Sequence, residues 1–276
     1  MTDRHVAVGV DGSLVAVRAL DWAAEEAVRR GTVLRIVYAV ADRDEAGPIL
    51  ASAAARVHER HPGLPVETRT EEGGAVPALA RESESAVLTV VGTRGFGGVT
   101  GLLAGSVSLR LAAHTYGPLL VVRGDHPCDQ GREVLLGLES DADAAAAAHA
   151  FQEAERRGAR LRVVHSSTHR HTTPELPSLV PATSPGQTRQ AQNDRAEQDV
   201  PRFSIARLRE AYPMVEVDSR TVRNGPAHAL LAGSREAGIV VIGIRSGVGR
   251  PGPQLGPVAH TLLHHSHCPV ALVPAT

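Results

Sequence analysis

Six glycines crowd the nineteen residues "VVGTRGFGGVTGLLAGSVS", from Val90 to Ser108. An apolar run precedes them and a helix-like pattern follows. Glycine reaches backbone conformations closed to other residues and lets a ligand approach the main chain. The free N–H groups and positive dipole end of a helix start favour an anion. Ser106 adds a hydroxyl donor at that point. Gly92, Gly95, Gly105 and Ser106 together describe a cradle of backbone amides suited to phosphate. The bland alternative is a glycine loop that binds nothing. Asp11, in "VAVGVDGS", either faces a ligand or caps the following helix with Ser13. Arg94, inside the loop, either meets phosphate or is an ordinary solvated arginine.

The elements that must position these residues alternate along the chain. Strand-like apolar runs cover Val6–Val10, Leu34–Val40, Val66–Thr70, Val87–Val91 and Leu119–Val122. Helix-like stretches fall at about 14–30, 49–60, 75–84 and 105–114. Strand–helix alternation with runs of Val, Leu and Ile predicts a parallel sheet covered on both faces. Ligands bind such a sheet beyond the carboxyl ends of its strands. Gly92 ends the fourth run and Ser106 opens the next helix, so the glycine loop lies at that edge.

The pattern is written twice. "HVAVGVDGS…RRGTVLRIVYAV" matches "EVLLGLESD…RRGARLRVVHSS" at an offset of 128, pairing Gly9 with Gly137, Ala27 with Glu155 and Gly31 with Ala159. "AVLTVVGTRGFGG…PLLVV" matches "GIVVIGIRSGVGR…PVALV" at 151, pairing Gly92 with Gly243, Gly105 with Gly256 and Pro118 with Pro269. The second copy thus carries 23 extra residues, in a Pro/Ser/Thr-rich loop near 166–198. The expected fold is α/β: two tandem doubly wound, Rossmann-like domains, at 1–125 and 131–276, each a five-stranded parallel sheet with helices on both faces.

Composition narrows the functions. All 29 basic residues are arginine. A Walker A loop and a protein kinase both need a lysine, so neither is present. The net charge of −1 gives no basic footprint for nucleic acid. No apolar run is long enough to span a bilayer and the N-terminus lacks a signal layout, so the expected location is cytoplasmic. Cys128 and Cys268 form no C-x-x-C pair and read as incidental thiols.

The spacing Gly92-x2-Gly95-x9-Gly105-Ser106, with "VAVGVDGS", "LRIVYAV" and "GSVSLRLAAHTYGPLLVVR", resembles ATP-binding universal stress proteins, and the likeness covers the chain as a tandem pair. The fold implied is adenine nucleotide alpha hydrolase-like. The resemblance implies Val10 and Asp11 beside the nucleoside, Ala39 meeting adenine through its backbone, and Gly92 near the ribose with Arg94. It implies Gly95, Gly105, Ser106, Val107 and Ser108 around the phosphates of ATP, with Mg²⁺. It also implies a role in stress response, pairing of the two domains within the chain, a homodimer as a further option, and a protein partner as another.

In the second copy Gly95 becomes Ser246, Ser106 becomes Pro257 and Asp11 becomes Glu139. Proline suits the first helical turn but removes an N–H and a hydroxyl from the cradle. One competent ATP site, in the first domain, is therefore expected. "DADAAAAAHA" reads as a helix former without chemistry, and Trp22 as a packing anchor. His260, His264, His265, His267 and Cys268 read as a helix-end group, or as zinc ligands. The glycine loop offers no acid or base to position water. A nucleotide-binding sensor is favoured, with a slow ATPase or adenylate-handling enzyme, or a protein-interaction module, as alternatives.

Overall fold

Alternating strand residues settle on opposite sides of one sheet. Val6 and Val8 in β1 (His5–Gly9) point to one face, joined by Leu34 and Ile36 of β2 (Val33–Val40), while Val37 points to the other. This is the period-2 geometry of a strand buried on both sides. The computed structural model describes residues 4–40, 46–93, 106–123, 133–140, 143–166, 205–222, 225–245 and 255–275. The first half continues with β3 (Val66–Glu72), β4 (Leu88–Gly92) and β5 (Leu119–Val122), and with α1 (Leu14–Arg30), α2 (Ala46–Arg60), α3 (Ala75–Glu82) and α4 (Ser106–Ala112). The second half holds β6 (Val134–Leu138), α5 (Ala144–Arg157), β7 (Leu161–Ser166), a helical segment α6 over 205–211, β8 (Val217–Val222), α7 (Pro226–Gly233), β9 (Ile239–Ile244), α8 (Pro257–His265) and β10 (Val270–Pro274).

The ten strands form a single sheet in the order β3-β2-β1-β4-β5-β10-β9-β6-β7-β8. Pairing is parallel within each half. The halves join where β5 and β10 run antiparallel, with Leu120 opposite Ala271. That junction reverses the strand direction, so the carboxyl ends of the two halves lie at opposite edges of the sheet. Each half is doubly wound, with its order reversing between β1 and β4 or between β6 and β9.

Two cores cover the sheet, and each runs through both halves. One packs α1, α2 and α5 through Leu20, Trp22, Leu50, Val57 and Phe151. The other packs α3, α4, α7 and α8 through Leu79, Leu111, Leu230, Leu262 and Leu263.

The repeat is off by one along the first helices. Gly31 and Gly158 both close their helix in the left-handed conformation, each at φ 58°. Gly31 therefore corresponds to Gly158, not Ala159, and Ala27 to Ala154, not Glu155. β1 and β6 keep the offset of 128, while β2 and β7, with Leu34 matching Leu161, share the helix ends' offset of 127, so the one-residue change falls between the first strand and the end of the first helix. The extra chain of the second copy falls between β7 and β8, where 167–204 lie outside the described residues.

The corrected register exposes a reciprocal ion-pair seam between the halves. Arg30 pairs with Glu26 of its own helix and Glu153 of α5, and Arg157 pairs with Glu153 and with Glu26. All four side chains are buried. Burial alone would raise the Glu153 carboxyl, but the charges of Arg30, His149 and Arg157 hold it at about 2. Trp22 is the anchor expected, with the Arg157 guanidinium 5.6 Å from its ring centroid.

Candidate functional site

The first turn of the chain sets the geometry of its candidate site. After β1 the backbone turns through Gly12 at φ 78°, a left-handed conformation that glycine adopts without strain. Asp11 Oδ1 accepts from Ser13 N at 3.0 Å, and Ser13 Oγ accepts from Ala16 N at 3.2 Å as the cap of α1. Val10 N donates to Val37 O at 3.0 Å, tying this turn to β2. Asp11 thus closes the turn from which α1 starts, the local role weighed against ligand contact, and it still lines the cavity beside it.

That cavity, about 100 Å³, sits at the switch point between β1 and β4. Of the residues singled out from sequence, Val10, Asp11, Ala39, Gly92 and Val107 line it together. Ala75 and Leu79 of α3 form an apolar wall. Gly92 is required by packing: a Cβ there would lie 2.6 Å from Val15 Cγ1 and 3.0 Å from Val15 O. Ser108 is buried in α4 and is not among the lining residues. Arg94, Gly95 and Gly105 lie outside the described residues, as does the side chain of Ser106, which opens α4. Asp11 is the only ionisable side chain among the described lining residues. One carboxylate makes no metal cage, but Mg²⁺ is ordinarily held by one or two carboxylates plus the phosphates it accompanies.

The second half holds a larger cavity that sequence reasoning missed. It measures about 410 Å³ and lies at the corresponding switch point, between β6 and β9. Its lining includes Glu139, Arg245, Pro257 and Asp143, the last from the stretch read as free of chemistry. The signal was present in the repeat: Asp143 stands 128 residues after Val15, so an acid replaces a valine beneath the strand-end glycine.

Among the described residues no three His, Cys, Asp or Glu side chains come together in a way that could hold a metal ion. The His260 and His264 rings lie 4.3 Å apart on α8, and Cys268 is buried. Burial, then the neighbouring His260, His265 and Arg123, pushes the His264 imidazole below its ordinary range. Among the described residues no helix is long and apolar enough to cross a membrane.

Comparison with known proteins agrees with this architecture. The family model described as "Universal stress protein family" matches residues 3–59, 45–123 and 131–274. A universal stress protein of Mycolicibacterium smegmatis is 31% identical over 99% of this chain and 97% of its own length. Universal stress protein Rv2623 of Mycobacterium tuberculosis is 32% identical over 96% of this chain and 94% of its own. The crystal structure of a universal stress protein from Archaeoglobus fulgidus superposes with a TM-score of 0.64 at 15% identity, covering 99% of this chain and 98% of that one. With a family match in both halves and relatives of this identity along nearly its whole length, the chain belongs to the universal stress protein family, as a tandem pair of its domains.

Proposed function

We propose that the first domain, taken as residues 1–125, binds an adenine nucleotide, ATP with Mg²⁺, and that the chain acts as a nucleotide-dependent sensor or regulator of the stress response in the cytoplasm. The second domain, residues 131–276, carries the degenerate copy of the phosphate motif. The observation that carries the reading is the cavity at the β1–β4 switch point, where Val10, Asp11, Ala39, Gly92 and Val107 converge. Open α/β sheets place their ligands at this position. Apolar walls from Ala39, Ala75 and Leu79 suit a flat base, and Asp11 supplies an acceptor for ribose hydroxyls. The glycine-serine spacing that follows Gly92 supplies the phosphate donors in this reading.

Binding rather than turnover is favoured by what lines the cavity. Hydrolysis needs a group that positions or activates water. Asp11 Oδ1 already accepts the Ser13 amide. The test is ATP affinity of the full chain beside the variant Ala39→Leu, which puts bulk into the cavity. The reading predicts an affinity at least tenfold weaker with little change in melting temperature. Equal affinity would reject this cavity as the nucleotide site.

A further inference from the structure

The second cavity differs from the first in charge as well as size. Asp143 is buried, with its side chain 8% exposed, and its Oδ2 accepts the amides of Glu139 at 2.7 Å and Ser140 at 3.1 Å. Its Oδ1 lies 2.6 Å from where a Cβ on Gly243 would stand, so glycine at the end of β9 makes room for this carboxylate. Glu139 lies at the exposed rim. Arg245 sits 3.5 Å from both carboxylates and donates to Ser140 Oγ at 3.0 Å. The remaining walls are apolar, from Leu138, Val164, Leu230, Ile242, Ile244 and Val258.

Two features set this cavity against anions. Pro257 begins α8 and removes one of the N–H groups that an anion at that helix start would use, together with the hydroxyl that Ser106 offers in the first half. Two carboxylates share one guanidinium, so the three charged groups among the described lining residues sum to −1. A phosphorylated ligand would bring further negative charge into a site that is already acidic. A cation would instead neutralise it, while apolar walls bury its body. A volume of about 410 Å³ falls within the ordinary range of small-molecule sites.

We propose that the second domain binds a compact organic cation, an arylalkylammonium or aromatic amidinium, with its charged group at Asp143 and Glu139 and its ring against Leu230 and Val258. The chain then carries two sites of opposite charge preference at opposite edges of one sheet. This site stands whether or not the first domain binds nucleotide.

The test uses two fluorescent probes of similar size on the full chain: cationic proflavine and anionic anilinonaphthalene sulfonate. Proflavine is expected to bind saturably at one site per chain, and the anionic dye to bind at least tenfold more weakly. Asp143→Asn keeps an acceptor for the Glu139 and Ser140 amides while removing the charge, and should weaken proflavine about tenfold or more, since a charge-assisted hydrogen bond is stronger than a neutral one. Val258→Phe, which fills the cavity from α8, should weaken it similarly without touching any charge. Asp143→Val, the residue type of the first half, should shift the preference toward the anionic dye. Tighter binding of the anionic dye to the unmodified chain, or proflavine binding unchanged in both Asp143→Asn and Val258→Phe, overturns the proposal.

Discussion

Replacing Glu153 with Gln should loosen the seam between the two domains more than any surface change. Glu153 faces Arg30 across the seam, Arg157 and Arg156 on its own helix, and His149 at 3.8 Å. Its side chain is 1% exposed, so water cannot replace what is lost. Removing one partner of a buried ion pair costs about 3–5 kcal/mol, because an uncompensated charge stays buried. For a chain of this size about 1 kcal/mol moves the melting temperature by about 2 °C, so the variant should melt about 6–10 °C lower. The pairing is reciprocal, Arg30 to Glu153 and Arg157 to Glu26. Glu26→Gln should therefore cost the same to within about 1 kcal/mol. Replacing all four residues by Leu and Met should recover the loss, since buried pairs gain little over well-packed apolar side chains. Thermal and urea unfolding of the full chain read these effects. A shift under about 2 °C for Glu153→Gln, or a large asymmetry between Glu153→Gln and Glu26→Gln, would refute the reasoning.

Three further outcomes follow from named contacts. Burial, then the charges of Arg30, Arg156 and Arg157, holds the His149 imidazole down at about 4 against the attraction of Glu153. Its contribution is complete above about pH 6.5 and is lost as pH falls toward 4, on the order of 3 kcal/mol in urea midpoints converted to free energy, and His149→Leu should flatten that slope. Gly92→Ala should cost about 1–3 kcal/mol by overpacking. Val15→Ala should restore only part of it, because the Val15 carbonyl at 3.0 Å remains. Ser13→Ala removes the acceptor for Ala16 N, and a thermal melt should show a loss of about 1 kcal/mol.

Where the chain spells out apolar runs, the fold was readable from them. Leu119–Val122 is β5 as expected, and Leu34–Val40 lacks only the first residue of β2. Strands buried on both faces are continuous in Val, Leu and Ile, and that is a strong signal. The joining of the halves through β5 and β10 was not readable, because a terminal strand that pairs looks like a central one. The Glu26–Arg30–Glu153–Arg157 seam was hidden because Glu and Arg four apart on a helix have the spacing of an ordinary intrahelical pair, which carries no sign of a partner across the sheet. At the site, the switch-point rule put Asp11 and Gly92 at the carboxyl edge of the sheet, and the family resemblance added Ala39; all three line the same cavity. It did not show the cavity of the second domain, because the lost motif concerns phosphate and says nothing of the walls. Asp143 was overlooked inside an alanine-rich helix start, although its exchange for Val15 was visible in the repeat.

The central claim is one nucleotide site per chain, in the first domain. Calorimetric titration of the full-length protein with ATP and Mg²⁺, after removal of any co-purified nucleotide, tests it most directly. The account predicts a stoichiometry near one, with binding weakened by Ala39→Leu and unaffected by Val258→Phe. Two equivalent sites would contradict the assignment of the second cavity to a cation, and no heat from a folded chain would contradict nucleotide binding itself.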